Sequence, residues 1–531
     1  MMYRCLVALA LVACSSPAPR APARPADPRV VETTEGTITG SIDANGVRSW
    51  LGVPFAAPPV GELRWREAQP PAKHVPLATT SYRLPCSQIP VPSGSDSISS
   101  GGKKVPSAED CLYLNVWAPP HDASTRLPVM VWIHGGQYLR GATSQYDGEQ
   151  LARLGNVIVV TLAYRLGPLG FLAHPALTAE SPLHTSGNQA LFDHLQALKW
   201  LRANLPAFGG DPERITLFGE SAGSASTCAM MASPLSRGLF QQAILQSTAC
   251  PEDEDTSAIS AREELGRRIA EALGCKKDDI RAELACMRTK TDDEVMNAIR
   301  LGKVLGEDGG GVNYRFVTDG VVLPMSPQKA LETGAVMRIP VILGTTDDEM
   351  GRYIVGLKLD NVDDFHSVLK KEWPEHADAL AAAYPVNEAA QVKPQMAALF
   401  SDWANTCPIR HDARMFVKLG APTYLYRFKR APDVFGDRSK GAFHGSELAF
   451  LFPSVFAKHQ LVVSDEDRVV VETMSRYWGR FAATGDPNGD GAPVWPRYDV
   501  ATDPYIALDA TTAAGAKLHT AECDLWDRID P

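Results

Sequence analysis

The chain has 531 residues, 45% of them hydrophobic, and a formal net charge of −10 at pH 7. It is long enough to bury a large core, and α/β enzymes of this size often fold as one domain. The acidic balance excludes a nucleic-acid-binding surface and leaves the sign of a substrate open; the sequence holds no internal repeat, P-loop or dinucleotide fingerprint.

Arg4 is followed by an apolar run from Cys5 to Ala13. It is too short to span a bilayer, so residues 1–13 read as an export signal. The run ends Leu11-Val-Ala-Cys14-Ser15, which resembles a bacterial lipoprotein cleavage box. That resemblance implies cleavage before Cys14 and lipid attachment to this residue, an ordinary signal peptide cut nearby being the alternative. Residues 14–28, rich in Pro and Ala, read as an extended tether that holds a folded body, residues 29–531, off a membrane surface. Beyond Cys5 and Cys14, eight of the ten cysteines remain; export makes their pairing an expectation, but spacing leaves its connectivity open.

From Val30 to Val53 the text alternates around Gly36, Gly40 and Gly46, as antiparallel hairpins do. Pro54 to Pro71 reads as a surface segment containing Gly61-Glu-Leu-Arg-Trp65, and Pro90 to Ala108 as a mobile loop with a solvated Lys103-Lys104 pair. Strand text follows at Leu112–Trp117, Pro128–Ile133 and Val157–Thr161. The last two are continuous apolar runs, expected of strands covered on both faces. Asn188 to Leu205 carries leucines at helical spacing and is closed by Pro206 and Gly209-Gly210. A short strand, Arg214–Phe218, leads into Gly219-Glu-Ser221-Ala-Gly223 and a helix of small residues, then the strand Ala243–Ser247. Glu252 to Asp255 reads as a solvated acidic turn, and Ala261 to Arg300 as charged helix decorating the sheet. Strands resume at Ile339–Gly344 and Thr423–Phe428, and a closing helix spans Asp465–Thr484. Such alternation predicts an α/β fold: a mainly parallel, doubly covered central sheet with N-terminal antiparallel hairpins and helical insertions.

The G-x-S-x-G pattern at Gly219–Gly223 is weak alone, but a strand before it and a helix after it turn Ser221 into a candidate nucleophile. A serine hydroxyl needs a base in hydrogen-bond reach and an acid to orient that base. In the chain order Ser, acid, His, the candidate base is His444 in Gly441-Ala-Phe-His-Gly-Ser-Glu447, and Asp347, Asp348 and Glu349 all follow a strand where the acid belongs. His134-Gly135-Gly136, after the 128–133 strand, offers two glycine amides for an oxyanion, and Ala222 N–H offers a third.

Four stretches together resemble the type-B carboxylesterase and cholinesterase family of α/β hydrolases: Glu109–Trp117, His134–Gly136, Gly219–Gly223 and Phe443–Glu447. Supporting text lies at Gly52–Gly61, Gly187–Ala190 and Phe481–Asn488, so the likeness runs from about residue 29 onward. It implies Ser221 as nucleophile, His444 as base and Glu349 as acid, although Met350 replaces the glycine usual after that acid and keeps Asp348 as an alternative. Glu220 matches a residue that steadies the charged transition state in cholinesterases; a purely structural carboxylate is the other reading. The likeness implies disulfides Cys86–Cys111, Cys275–Cys286 and Cys407–Cys523, and leaves Cys228 and Cys250 as free buried thiols. Val312, Tyr314 and Phe316 are expected near the acyl pocket, or as ordinary core. No aromatic residue lies between Cys86 and Cys111, so the tryptophan that binds choline is missing and a contact of about 2 kcal/mol with it. Asp486-Pro-Asn-Gly-Asp-Gly491 resembles half a calcium loop but has Arg497 at its twelfth position, and reads as a turn. The resulting expectation is an exported carboxylic ester hydrolase acting on small to medium esters, with no metal or organic cofactor, meeting a membrane only through a lipid anchor. Its rivals are a non-catalytic binding module and a lipase or amidase on the same scaffold.

Overall fold

In a computed structural model of the chain, residues 27–89, 106–122, 124–251, 258–298, 314–433, 438, 441–455 and 463–529 are described. The signal, most of the tether, residues 90–105 of the expected mobile loop with Lys103-Lys104, the acidic run Glu252–Asp255 and Val312 lie outside them.

The strands, in chain order, are β1 (Val30–Glu32), β2 (Thr37–Thr39), β3 (Ser41–Ile42), β4 (Arg48–Pro54), β5 (Leu77–Ala78), β6 (Tyr113–Ala118) and β7 (Leu127–Ile133). Then come β8 (Ile158–Leu162), β9 (Gly210–Glu220), β10 (Gln242–Gln246), β11 (Val341–Thr346), β12 (Thr423–Phe428), β13 (Pro504–Leu508) and β14 (Ala513–Ala516). β1, β2 and β5 form a small separate sheet, so the N-terminal hairpins feed two sheets rather than one. The main sheet runs β14-β13-β12-β11-β10-β9-β7-β8-β6-β4-β3, parallel from β8 through β13 and antiparallel at both edges.

Every residue of β7, β8 and β10 is buried, which explains their unbroken apolar text. Alternation still sorts the side chains: Val129, Val131 and Ile133 enter one core, while Met130 and Trp132 enter the other. The first core is covered by the helices Gln189–Phe208 and Ala222–Ala232, the second by Glu149–Gly155 and Asp465–Thr484. A third apolar cluster joins Phe365, Leu380 and Phe400, from the helices between β11 and β12, to Trp526 on the helix Thr520–Ile529.

Two sequence expectations are corrected and one gains detail. The helix from Gln189 continues through Pro206 to Phe208, and Gly209, at φ 91°, caps it. The charged helix expected from Ala261 is, among the described residues, three helices, Ile259–Ala272, Ile280–Arg288 and Asp292–Met296, the second and third starting on the side-chain caps of Asp279 and Thr291. The 54–71 segment is anchored rather than superficial, because Trp65 is 3% exposed and donates to the Pro168 carbonyl at 2.9 Å. At the calcium-like turn, Asn488 bonds to both Asp486 and Trp495.

The register gathers the candidate site. Ile133 pairs with Gly219, Gly219 with Leu245, Leu245 with Leu343 and Leu343 with Leu425. The carboxyl ends of β7, β9 and β11 therefore open on one edge. β7 lies between β8 and β9, so the connections from β7 to β8 and from β8 to β9 run in opposite directions; such switch points leave a crevice where ligands bind.

Candidate active site

Ser221 sits between β9 and the helix Ala222–Ala232 with φ 56° and ψ −125°, a conformation that costs a non-glycine residue about 1–3 kcal/mol. Its N–H donates to the Gln246 carbonyl at 2.9 Å. The glycines on either side make the bend possible: a Cβ on Gly219 would lie 2.8 Å from the Ile133 oxygen, and one on Gly223 would overlap that same oxygen.

Gly135 and Gly136 follow β7. A Cβ on Gly135 would fall 2.7 Å from the Glu220 carbonyl oxygen and 3.0 Å from Ser221 Cβ, so this loop touches the serine turn directly. His134 is buried, its ring stacked on Tyr164 at 4.5 Å, and Tyr164 O–H donates to its carbonyl at 2.8 Å. Burial pushes the His134 imidazole down to about 4, which makes it a neutral packing group.

His444 lies between two carboxylates. Its Nδ1–H donates to Glu349 Oε2 at 2.6 Å, and its Nε2 is 3.2 Å from Glu220 Oε1. Glu349 is wholly buried; its Oε1 accepts from Thr346 N–H at 2.6 Å and Thr345 O–H at 2.8 Å. The other two carboxylates of the trio turn elsewhere. Asp347 pairs with Arg427, and Asp348 accepts from Gly351 N–H at 3.0 Å. Met350 packs into the third apolar cluster, its N–H donating to Ser401 Oγ at 3.0 Å.

Burial opposes a charge on His444, but Tyr353, Glu220 and Glu349 together hold it well above the ordinary histidine range. Burial raises Glu220 to about 7, against the pull of His444 and with the help of Glu349. The Nε2···Oε1 contact therefore joins a raised imidazole to a raised carboxyl. Ser221 Oγ has no hydrogen-bond partner among the described residues, since the imidazole edge that would meet it faces Glu220. Such bonds often tighten only when substrate is bound.

One buried carboxyl escaped sequence reasoning as a chemical group. Glu447 is raised to about 8 by burial first and then by Glu220 and Glu349, and its Oε1 accepts from Gln246 Nε2 at 3.1 Å. Its position three residues after His444 was the available signal.

A cavity of about 610 Å³ opens at Ser221, Ala222 and Ala225, with Tyr314 and Phe316 on its wall. Trp403, on a π-helical turn spanning Asp402–Thr406, and Trp526, on the helix Thr520–Ile529, also line it. Nothing local in the sequence marks these two.

Cys86–Cys111, Cys275–Cys286 and Cys407–Cys523 are bonded. The expectation of free thiols at Cys228 and Cys250 is corrected: they form a fourth disulfide, with Cα atoms 5.4 Å apart. Cys228 lies on the helix after Ser221, which packs along β10, and Cys250 lies just beyond β10, so only the folded chain brings them together.

The carboxylesterase family model matches residues 27–526. Carboxylesterase 1C of Rattus norvegicus is 33% identical over 541 aligned residues, covering 95% of this chain and 94% of the relative. Fumonisin B1 esterase of Sphingopyxis macrogoltabida is 35% identical, covering 89% of this chain and 85% of the relative. A solved structure of a thermophilic PNB esterase superimposes with a TM-score of 0.79 at 31% identity, covering 94% of this chain and 100% of that one. With this family match across its folded length and an esterase as its structural neighbour, the chain belongs to the carboxylesterase family and is a serine carboxylic ester hydrolase of the α/β-hydrolase fold.

Proposed function

We propose that Ser221, His444 and Glu349 form the catalytic triad, with the Gly135, Gly136 and Ala222 amides as the oxyanion hole. The observation that carries this is the 2.6 Å Glu349–His444 hydrogen bond beside the serine turn. His444 takes the Ser221 proton as Oγ attacks the ester carbonyl, and the three amides receive the oxyanion. The tetrahedral adduct collapses to an acyl-serine as His444 protonates the departing alcohol. Water, deprotonated by the same imidazole, then releases the acid. Losing one oxyanion donor typically costs about 100–1,000-fold in rate. Tyr314 and Phe316 border the acyl side, and small to medium esters are the substrate class.

The triad acts only with His444 neutral, so kcat/KM rises with pH through the His444 titration. Glu220 favours the imidazolium, so Glu220→Gln is expected to move that rise to lower pH. An unmoved or upward-shifted profile would assign Glu220 a structural role. Hydrolysis of p-nitrophenyl acetate, butyrate and octanoate by the disulfide-bonded protein tests the esterase assignment, and its chain-length profile sizes the acyl side.

Four disulfides suit an oxidising compartment, and no helix among the described residues is long and apolar enough to cross a membrane. The reading extends to lipidation at Cys14, with residues 14–28 as tether. Incorporation of labelled palmitate in wild type but not in Cys14→Ala is the expected result; equal labelling would remove the anchor.

A further inference from the structure

One wall of the cavity carries a carboxyl group that ester hydrolysis does not itself use. Asp412 lies in the helix Cys407–Lys418, is 1% exposed, and lines the same cavity as Ser221. Its Oδ2 accepts the Cys250 N–H at 2.6 Å, while Oδ1 has no hydrogen-bond partner and no ion pair joins it among the described residues.

The charged groups around it do not neutralise it. On its own helix Arg410 is bound to Asp503 at 2.7 Å and Arg414 to Asp527 at 3.2 Å, and His411 stands 3.9 Å from Asp527. Glu332, on the helix Pro327–Thr333, adds a like charge, and Arg315 lines the cavity from the segment after residue 313. Burial first, then Glu332, raise the Asp412 carboxyl to about 8 against the Cys250 N–H, so at neutral pH it is an uncharged acid.

Asp412 is also tied to the nucleophile by a short strap. Cys250 is crosslinked to Cys228 on the helix that Ser221 caps, the Thr248 carbonyl accepts Ser224 O–H at 2.6 Å, and the Gln246 carbonyl accepts Ser221 N–H. An ionised, unpaired carboxylate in such a wall draws in water and repels apolar surface.

We propose that Asp412 is a specificity-determining residue for the chain of the ester: as an acid it allows a long apolar acyl chain to lie along this wall, and as a carboxylate it turns the wall against such chains while short esters are unaffected. This rests on the esterase reading above.

The test is the ratio of kcat/KM for p-nitrophenyl octanoate to that for the acetate, measured on the full chain at pH 7 and pH 9.5. Because both esters use the same triad, the His444 titration cancels. The wild-type ratio is expected to fall by roughly tenfold across this range. Asp412→Asn keeps an acceptor for Cys250 N–H and is expected to hold the neutral-pH ratio at both values, whereas His411→Gln falls as wild type does. A wild-type ratio that does not change, or the same fall in Asp412→Asn, overturns the inference and leaves the esterase intact. Failure to hydrolyse either ester overturns the esterase reading and this inference with it.

Discussion

Alanine at Ser221 is expected to lower kcat by about 10⁶-fold without unfolding the protein. The loss is large because, in the proposed mechanism, Oγ is the atom that carries the acyl group, and the turn Gly219–Gly223 holds no other hydroxyl. The fold is spared because the strain at φ 56° belongs to the backbone, and alanine tolerates it no worse than serine. The Ser221 N–H that reaches Gln246 is kept as well. Turnover of p-nitrophenyl butyrate beside a thermal melt checks both halves. Residual activity within a hundredfold of wild type, in a variant that melts normally, would sink the mechanism.

Glu349→Gln is the second large effect, an expected loss of about 10⁴-fold in kcat. Glu349 accepts three hydrogen bonds while wholly buried, from Thr346 N–H, Thr345 O–H and His444 Nδ1–H. An amide supplies one acceptor in place of two, so either the threonine pair or the imidazole meets an N–H where it needs an oxygen. The histidine tautomer then inverts and Nε2 no longer accepts the serine proton. Asp348→Asn should cost less than about tenfold, because its carboxylate serves the Gly351 amide at the base of the loop. Kinetics of the two variants rank them directly, and the reverse order would move the acid to Asp348.

The strands that build the site were legible because each is buried on both faces and bounded by turn residues, as at Pro128–Ile133. The serine turn and the His444 loop were legible because glycines flank them for steric reasons, and short-range sterics are written into short-range sequence. What escaped depends on contacts between distant segments. Cys228 and Cys250 read as unpaired because their encounter needs a helix to lie along the neighbouring strand. The cavity wall was invisible because Trp403 and Trp526 are 123 positions apart and reach one cavity only after the helix Thr520–Ile529 docks. The breaks within 261–300 were missed because charge pattern reports solvent exposure, whereas the caps at Asp279 and Thr291 decide where helices start. Between Asp348 and Glu349 spacing alone was silent, since neighbours in sequence point apart only once β11 ends, and the preference for Glu349 came from the family likeness.

The Cys407–Cys523 bridge spans 116 residues and fastens a helix whose Trp526 and Asp527 line the ester cavity. That places a timing rule on the catalyst. Ser221, Glu349 and His444 all precede this helix in the sequence, yet Trp526 and Asp527 complete the cavity wall, and the helix is locked by a bond that reducing surroundings do not allow. Under the proposed esterase reading, the grip on the longer acyl chains is therefore expected to be acquired at oxidation, not at translation. Cys523→Ser, which opens this bridge alone, is expected to raise KM for octanoate with acetate turnover little changed.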